Sequence, residues 1–300
     1  MITPKLSHEV AAALASGDAV VALESTIFSN LGLPSPANSE ALDRCLDAIR
    51  RGGAVPAVTA VLDGEVRLGL EADEHDRILG SARKAAERDV PVAVAQAWEF
   101  GATTVSASVA IAAAGGVRVF ATGGLGGVHR GAELTGDVSA DLDSLARHSI
   151  VAVSAGAKAF LDLPRTLEYL ETAGVPVLGW QHDWFPAFYT RSSGLPVPHR
   201  VETAEEVARV SKSLTRVDSG LLLTVPIQEA DELDAAELDG VLEAALAECD
   251  ASGITGAAVT PYVLGRIGAA TEGRSVPANL SLAENNAVVA AEVAVAIARS

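Results

Sequence analysis

The sequence predicts an α/β protein, a three-layer α/β/α sandwich around a largely parallel central sheet. Three observations carry that expectation. Apolar runs of strand length alternate with amphipathic runs of helix length along the 300 residues, as a parallel sheet covered by helices requires. Glycines fall where helices should stop, at Gly52-Gly53, Gly115-Gly116 and Gly174, because a left-handed residue closes the last turn of a helix and glycine adopts it at little cost. No repeat, low-complexity tract or long linker interrupts the pattern, so residues 1–300 read as one domain.

In chain order, Ala19–Glu24 is the first strand, apolar and closing on an acid, and Asn38–Arg51 is the helix after it. Val55–Leu62 with Glu65–Leu68, then Pro91–Ala95 and Val117–Ala121, read as further strands, with Thr103–Ala114 as a helix between the last two. The second half alternates: helix Ser139–Arg147, strand Ile150–Val153, helix Ala159–Ala173, strand Pro176–Trp180, helix Ala204–Thr215, strand Gly220–Thr224, helix Ala235–Ala251. Leu282–Arg299 closes the chain as a helix. Trp180–Arg200, rich in proline and aromatic residues, is the longest irregular stretch and is expected to cover a site or an oligomer contact.

Hydrophobic residues make up 49% of the chain and charged residues 20%, enough apolar side chain for a large core. The formal net charge of −17 argues against nucleic acid or an anionic membrane as the main partner, since both are bound by basic surfaces. A small anion can still be held by local positive groups. Cys45 and Cys249 lie in helix-like stretches and read as buried thiols rather than a disulfide. There is no basic-then-apolar leader, and no apolar run reaches the ~18 residues that would span a bilayer. The expected setting is the cytoplasm.

Only four lysines occur, Lys5, Lys84, Lys158 and Lys212. Lys158 ends Ile150-Val-Ala-Val-Ser-Ala-Gly-Ala-Lys158, a buried-strand pattern closing on small residues. An amine can lose its proton and attack a carbonyl, which a guanidinium cannot. The alternative is a junction lysine with its head in water. Glu24, at the end of the first strand, would share a sheet edge with the other strand ends and act there as an acid or base with a raised pKa; a capping or salt-bridged glutamate is the other reading. Lys84 falls in a charged run that normally marks a solvated helix face.

The densest signal is Ala121-Thr-Gly-Gly-Leu-Gly-Gly-Val-His-Arg-Gly-Ala-Glu133, directly after a strand. Its five glycines between Gly123 and Gly131 let backbone approach a ligand and aim N–H groups at an anion, with His129 and Arg130 as further donors. It matches neither a Walker loop nor the dinucleotide fingerprint. Asp137, Ser139 and Asp141 alternate at a helix entry, where one carboxylate can cap the helix and another can hold a hard divalent cation. With no His/Cys cluster beside them, zinc is not expected.

Taken together, Ala22-Leu-Glu-Ser-Thr26, Gly53-Ala-Val-Pro-Ala57, Gly101-Ala-Thr-Thr-Val105, Val119 to Glu133, Ser139-Ala-Asp141, Ser154-Ala-Gly-Ala-Lys158 and Pro186-Ala-Phe-Tyr189 resemble the pseudouridine-5′-phosphate glycosidase family, also called indigoidine-synthase-A-like. The resemblance implies a homotrimer, a Mn²⁺-type divalent ion (or Mg²⁺), and reversible cleavage of the C–C bond joining C1′ of ribose 5-phosphate to uracil. By that pattern Lys158 matches the imine-forming lysine, Glu24 the proton-carrying glutamate and Asp137 the metal ligand. Lys84, Thr104, Val105, Thr122, His129, Ser139, Asp141 and Asn279 match substrate contacts.

Four departures stand out. Ile27-Phe-Ser-Asn-Leu-Gly-Leu-Pro34 carries an extra residue and lacks the family's histidine. Glu87 reverses a charge in Ala85-Ala-Glu-Arg-Asp89, and Gly136 and Glu284 replace an aromatic and an apolar residue. They leave two enzymatic readings open. One is a synthase joining ribose 5-phosphate to an aromatic acceptor in natural-product assembly, to which the altered surroundings lean; the other is a glycosidase releasing uracil. A non-catalytic binding protein has no need of both Glu24 and Lys158.

Overall fold

The computed structural model describes residues 3–216, 218–254 and 259–300, and in it the chain builds an 11-stranded sheet covered by helices. The strands are β1 (Lys5–Leu6), β2 (Val20–Leu23), β3 (Val55–Leu62), β4 (Glu65–Leu68), β5 (Arg83–Ala85), β6 (Phe100–Thr103), β7 (Val119–Ala121), β8 (Val151–Ser154), β9 (Val177–Trp180), β10 (His199–Val201) and β11 (Leu221–Thr224). The helices are α1 (His8–Ser16), α2 (Ala37–Arg51), α3 (Val90–Ala95), α4 (Val105–Ala114), α5 (Ala132–Thr135), α6 (Ala140–Arg147), α7 (Leu163–Ala173), α8 (Ala204–Lys212), α9 (Ala235–Ser252), α10 (Val259–Ala270) and α11 (Ser275–Ala298).

The main path runs β1-β4-β3-β2-β7-β8-β11-β9-β10, with β6 on β3 and β5 on β6. Pairing is parallel except where β3 meets β4 and β6. Asp63 and Gly64, both at positive φ (52° and 75°), make the two-residue turn between β3 and β4; positive φ at both positions is what a tight hairpin needs. Helices α2, α8 and α11 pack together, with α11 lying across β2, β7 and β8, while α4 and α6 pair in the other layer.

One mismatch of strand lengths shapes the site. β2 pairs with Val55–Val58 and stops, whereas β3 runs on to Leu62. The overhang is taken up by β6, antiparallel, with Leu62 opposite Phe100, so β6 returns to the level at which β2 ended. β5 lies beside it, Lys84 opposite Ala102. Buried hydroxyls close the junction. Thr59 Oγ1 donates to Leu23 O (3.0 Å), Thr103 Oγ1 to Thr59 O (2.8 Å), and Thr103 N–H to Ser25 Oγ (3.0 Å). Paired in this way, polar groups can be buried without large cost.

Several sequence expectations shift. Pro91–Ala95 is not a strand but part of α3, where proline fits the first helical turn and in mid-sheet would remove a donor. The charged run around Lys84 is strand β5, not a helix face. Short strands β1, β5, β6 and β10, of 2 to 4 residues, escaped notice, as did α1, α5 and α10. The closing helix starts at Ser275 because Pro277 sits within its first turn. That helix, 24 residues long with mean hydropathy 1.4, also exceeds the sequence expectation of no bilayer-length apolar run; 61% of its apolar window is buried inside the fold.

Glu284 is no misfit. It accepts from Arg44 at 2.7 Å and Arg51 at 3.1 Å and ties α11 to α2. Glu87 likewise accepts a partner, His148, at 3.0 Å. Replacing Glu284 with Ala is expected to cost about 1 kcal/mol, as for partly exposed ion-pair networks, and the loss should shrink in 1 M salt when thermal melts are compared.

Candidate active site

Four strand ends deliver the chemistry to one edge. Glu24 follows β2, Thr122 follows β7, Thr104 follows β6, and Lys158 lies on the turn after β8. Lys84 comes in on β5. Glu24 is 9% exposed, and its Oε1 accepts from Thr122 Oγ1. Burial raises the Glu24 pKa above the ordinary glutamate value. The Lys158 charge and the Thr122 hydrogen bond oppose the rise, Asp141 adds to it, and Lys84 opposes it again. Burial pushes the Lys84 amine down, and the Lys158 charge pushes the same way, against Asp141, Glu24 and Asp137. Lys84 remains open to solvent as a residue, so the recess that desolvates its head has a mouth.

On the far side, His129 Nδ1 stands 3.7 Å from Asp137 Oδ2. Burial lowers the His129 pKa, the Asp137 carboxylate resists, and Lys158 and Lys84 lower it further. Two lysines, three carboxylates and an imidazole therefore share one field, which is what acid–base and nucleophilic chemistry needs.

Part of the glycine-rich turn is bonded within the protein. Leu125 N–H donates to Gly156 O (3.0 Å), Gly126 N–H to Asp141 Oδ2 (2.9 Å), Val128 N–H to Thr166 Oγ1 (3.0 Å) and His129 N–H to Asp137 O (3.0 Å). The glycines make room for protein. A Cβ on Gly124 would strike the Phe188 ring, on Gly126 the Ser139 side chain, and on Gly127 that of Thr166. Asp141 spends both oxygens on backbone, the second accepting from Ser106 N–H at 2.9 Å, and so ties the turn to the start of α4. Ser139 caps α6.

Among the other expected contacts, Thr104 holds the N-cap position of α4, its hydroxyl 3.0 Å from Ser106 Oγ. Val105 is 1% exposed, leaving only its backbone N–H, at the first position of α4, for a ligand. Asn279, also buried, lies with its Oδ1 beside Gly123, and that oxygen has no partner among the described residues. Two features escaped the sequence reading. Asn286 Nδ2 donates to Thr122 O (2.8 Å) and Gly123 O (3.2 Å); an Asn doublet inside an apolar helix was the available signal. Phe188, left-handed at φ 63°, donates its N–H to Ala155 O at 3.0 Å. The Trp180–Arg200 stretch thus straps down the turns that carry Thr122 and Lys158.

Fold and site together define an α/β protein with a cluster of lysines and carboxylates at the edge of its sheet. Residues 9–296 match the family described as Indigoidine synthase A like protein, and the chain belongs to that family. Over 294 residues it is 50% identical to the pseudouridine-5′-phosphate glycosidase of Methylobacterium nodulans, covering 96% of this chain and 86% of that one. It is 48% identical to the enzyme of the same name from Caldanaerobacter subterraneus subsp. tengcongensis, covering 97% and 95%. Among solved structures, the prealnumycin C-glycosynthase AlnA in complex with ribulose 5-phosphate superimposes with a TM-score of 0.90 at 39% identity, covering 98% and 97%. An indigoidine synthase A-like protein from Thermotoga maritima gives 0.89 at 34%, covering 99% and 97%.

Glu24 gives a stability test with a defined sign. A carboxyl whose folded pKa is raised destabilises the fold as pH climbs from the unfolded value, near 4.5, through the folded one, and by a constant amount above it. Glu24→Gln should therefore raise Tm at pH 8 and leave it nearly unchanged at pH 4, measured by scanning calorimetry.

Proposed function

We propose that the chain makes or breaks the carbon–carbon bond between C1′ of ribose 5-phosphate and a base or aromatic acceptor, with Lys158 as nucleophile and Glu24 as proton carrier. The observation that carries this reading is the buried Glu24 carboxyl in the field of both Lys158 and Lys84, two of only four lysines. The names of the relatives support the bond type. The ribulose 5-phosphate held by AlnA supports an open-chain sugar, because a 2-ketopentose phosphorylated at C5 has no hydroxyl there to close a furanose.

A C-glycosidic bond has no basic oxygen to protonate, so a pair of carboxylates alone cannot break it. In cleavage, the Lys158 amine adds to C1′ as the C1′–O4′ bond breaks, and Glu24 gives O4′ its proton. The Glu24 carboxylate takes the surplus proton from the Lys158 nitrogen, restoring its lone pair, and delivers it to the ring carbon of the base. The C1′–C bond breaks, its electron pair staying with the base while the nitrogen lone pair forms the C1′=N imine. Water hydrolyses the imine to ribose 5-phosphate and the free amine. Synthesis is the reverse sequence.

Lys84, the Thr104 hydroxyl and the Val105 N–H at the start of α4 are assigned to the phosphate, which a helix N-terminus and an amine both favour. Thr122, His129 and Asn279 are left to the sugar and acceptor. Ser139 and Asp141 are assigned to holding α6, α4 and the glycine turn in place. Asp137, 36% exposed in its side chain, fits a Mn²⁺ or Mg²⁺ ion held by one protein carboxylate. No group of three metal-ligating side chains occurs among the described residues, so water and substrate oxygens would complete its shell. Such an ion supplies charge neutralisation and orientation. A homotrimer belongs to the same proposal.

Uracil is the first acceptor to test, because relatives at 48–50% identity carry the glycosidase name. The synthase reading keeps one observation of its own. Gly136 stands before Asp137 where the family carries an aromatic residue, which leaves room beside the site for a larger ring.

Wild-type protein with Mn²⁺ should release uracil from pseudouridine 5′-phosphate or couple ribose 5-phosphate to an aromatic acceptor. Lys158→Ala and Lys158→Arg should both lose at least roughly 10³-fold in kcat with folding retained; turnover by Lys158→Arg would remove the imine. Asp137→Ala should weaken activation by added Mn²⁺, and full activity after exhaustive chelation would remove the ion from the proposal.

A further inference from the structure

Asn286 lies in the body of α11 with no exposed surface, among alanine, valine and leucine. A primary amide buried in such a helix calls for a reason, since unpaired polar atoms are costly there. Its Nδ2 is fully used, donating to Thr122 O at 2.8 Å and Gly123 O at 3.2 Å. Its Oδ1 has no partner among the described residues. An apolar residue would avoid that orphan oxygen, so the value of the side chain lies in its two donated hydrogen bonds. Both end on the turn that carries Thr122, whose hydroxyl donates to Glu24 Oε1. The same turn is fixed on the sheet side by Thr122 N–H to Val153 O, 3.0 Å.

We propose that Asn286 is a positioning residue for the reaction: by clamping the Thr122–Gly123 turn it holds the Thr122 hydroxyl on Glu24 and so sets how readily Glu24 gives up and regains its proton. The proposal rests on the assignment of Glu24 as proton carrier. A hydroxyl donating to a carboxylate favours the charged form, and a turn displaced by an ångström no longer donates well. The groups facing Glu24 are Lys158 from the turn after β8, Lys84 from β5, Asp141 from α6 and Thr122 from the turn after β7. Cys45 of α2 shares its small pocket with Leu23, Ile27, Phe28, Ala121 and Ala283. Asn286 bonds to the Thr122 turn and to none of the charged groups. Its loss therefore moves Glu24 in one direction, toward a higher pKa.

The test is Asn286→Leu, close in size and without a donor. Kinetically, kcat should fall roughly tenfold, a typical scale for a misplaced proton-transfer group, while KM for the sugar phosphate stays within about twofold. The limb of the kcat/KM profile that reports Glu24 should move to higher pH. Thr122→Val should produce the same movement, and the double variant should add nothing to it. Titration of the Glu24 carboxyl by ¹³C NMR in the free protein should show the same upward shift.

A folded Asn286→Leu protein whose limb and carboxyl titration both stay in place overturns the proposal, even if kcat falls, because that pattern marks a role in packing alone. If Asn286→Leu does not fold, Asn286→Ser, too short to reach both carbonyls, carries the same expectations. If the wild type turns over no C-ribosyl substrate, the proposed function fails, while the NMR titration still decides whether Asn286 acts on Glu24.

Discussion

Glu24 is buried at the end of a strand, and the rest of the site is arranged around keeping that carboxyl usable. Removing a carboxylate from water is costly, and burial pushes its pKa up. Lys158, Lys84 and one hydroxyl pull the other way. The net effect on Glu24 is still upward, with these groups limiting the rise. In the proposed reaction Lys158 and Glu24 act as a pair, Lys158 attacking the sugar and Glu24 carrying the proton.

That balance depends on the overhang of β3. Because β3 outruns β2, β6 and β5 can return to the sheet edge and bring Thr104 and Lys84 to the edge where Glu24 lies. The hydroxyls of Thr59, Thr103 and Ser25 then fix the edge with short bonds to backbone. They are small, uncharged and paired, so they hold position without adding another charge to the field around Glu24. Asp141 does the corresponding job on the other side, joining α4 to the glycine turn through Ser106 and Gly126.

The parts of this arrangement built from local pattern were legible in the sequence. Val55–Leu62 and Glu65–Leu68 are strands with the expected limits, Glu24 directly follows its strand as the apolar run indicated, and Lys158 lies on the turn beyond its own. What depended on distant partners was not legible. β5 looks like a solvated charged helix because Lys84 and its neighbours match that pattern; it is a strand only because β6 is there to pair with it. α3 carries a Val-Pro-Val pattern that suits a strand, but Val92 and Val94 face solvent, each 43% exposed. The glycines of the Gly123–Gly131 turn were conspicuous, yet their purpose was hidden. Gly124, Gly126 and Gly127 answer to Phe188, Ser139 and Thr166, residues that only folding brings close.

The central claim is that Lys158 forms an imine with the opened sugar phosphate. The most direct measurement is borohydride reduction of the protein in the presence of ribose 5-phosphate, followed by peptide mass spectrometry. The account predicts a reduced pentose phosphate adduct on the peptide carrying Lys158 and none on that carrying Lys84. An unmodified Lys158, or an adduct confined to Lys84, would contradict it.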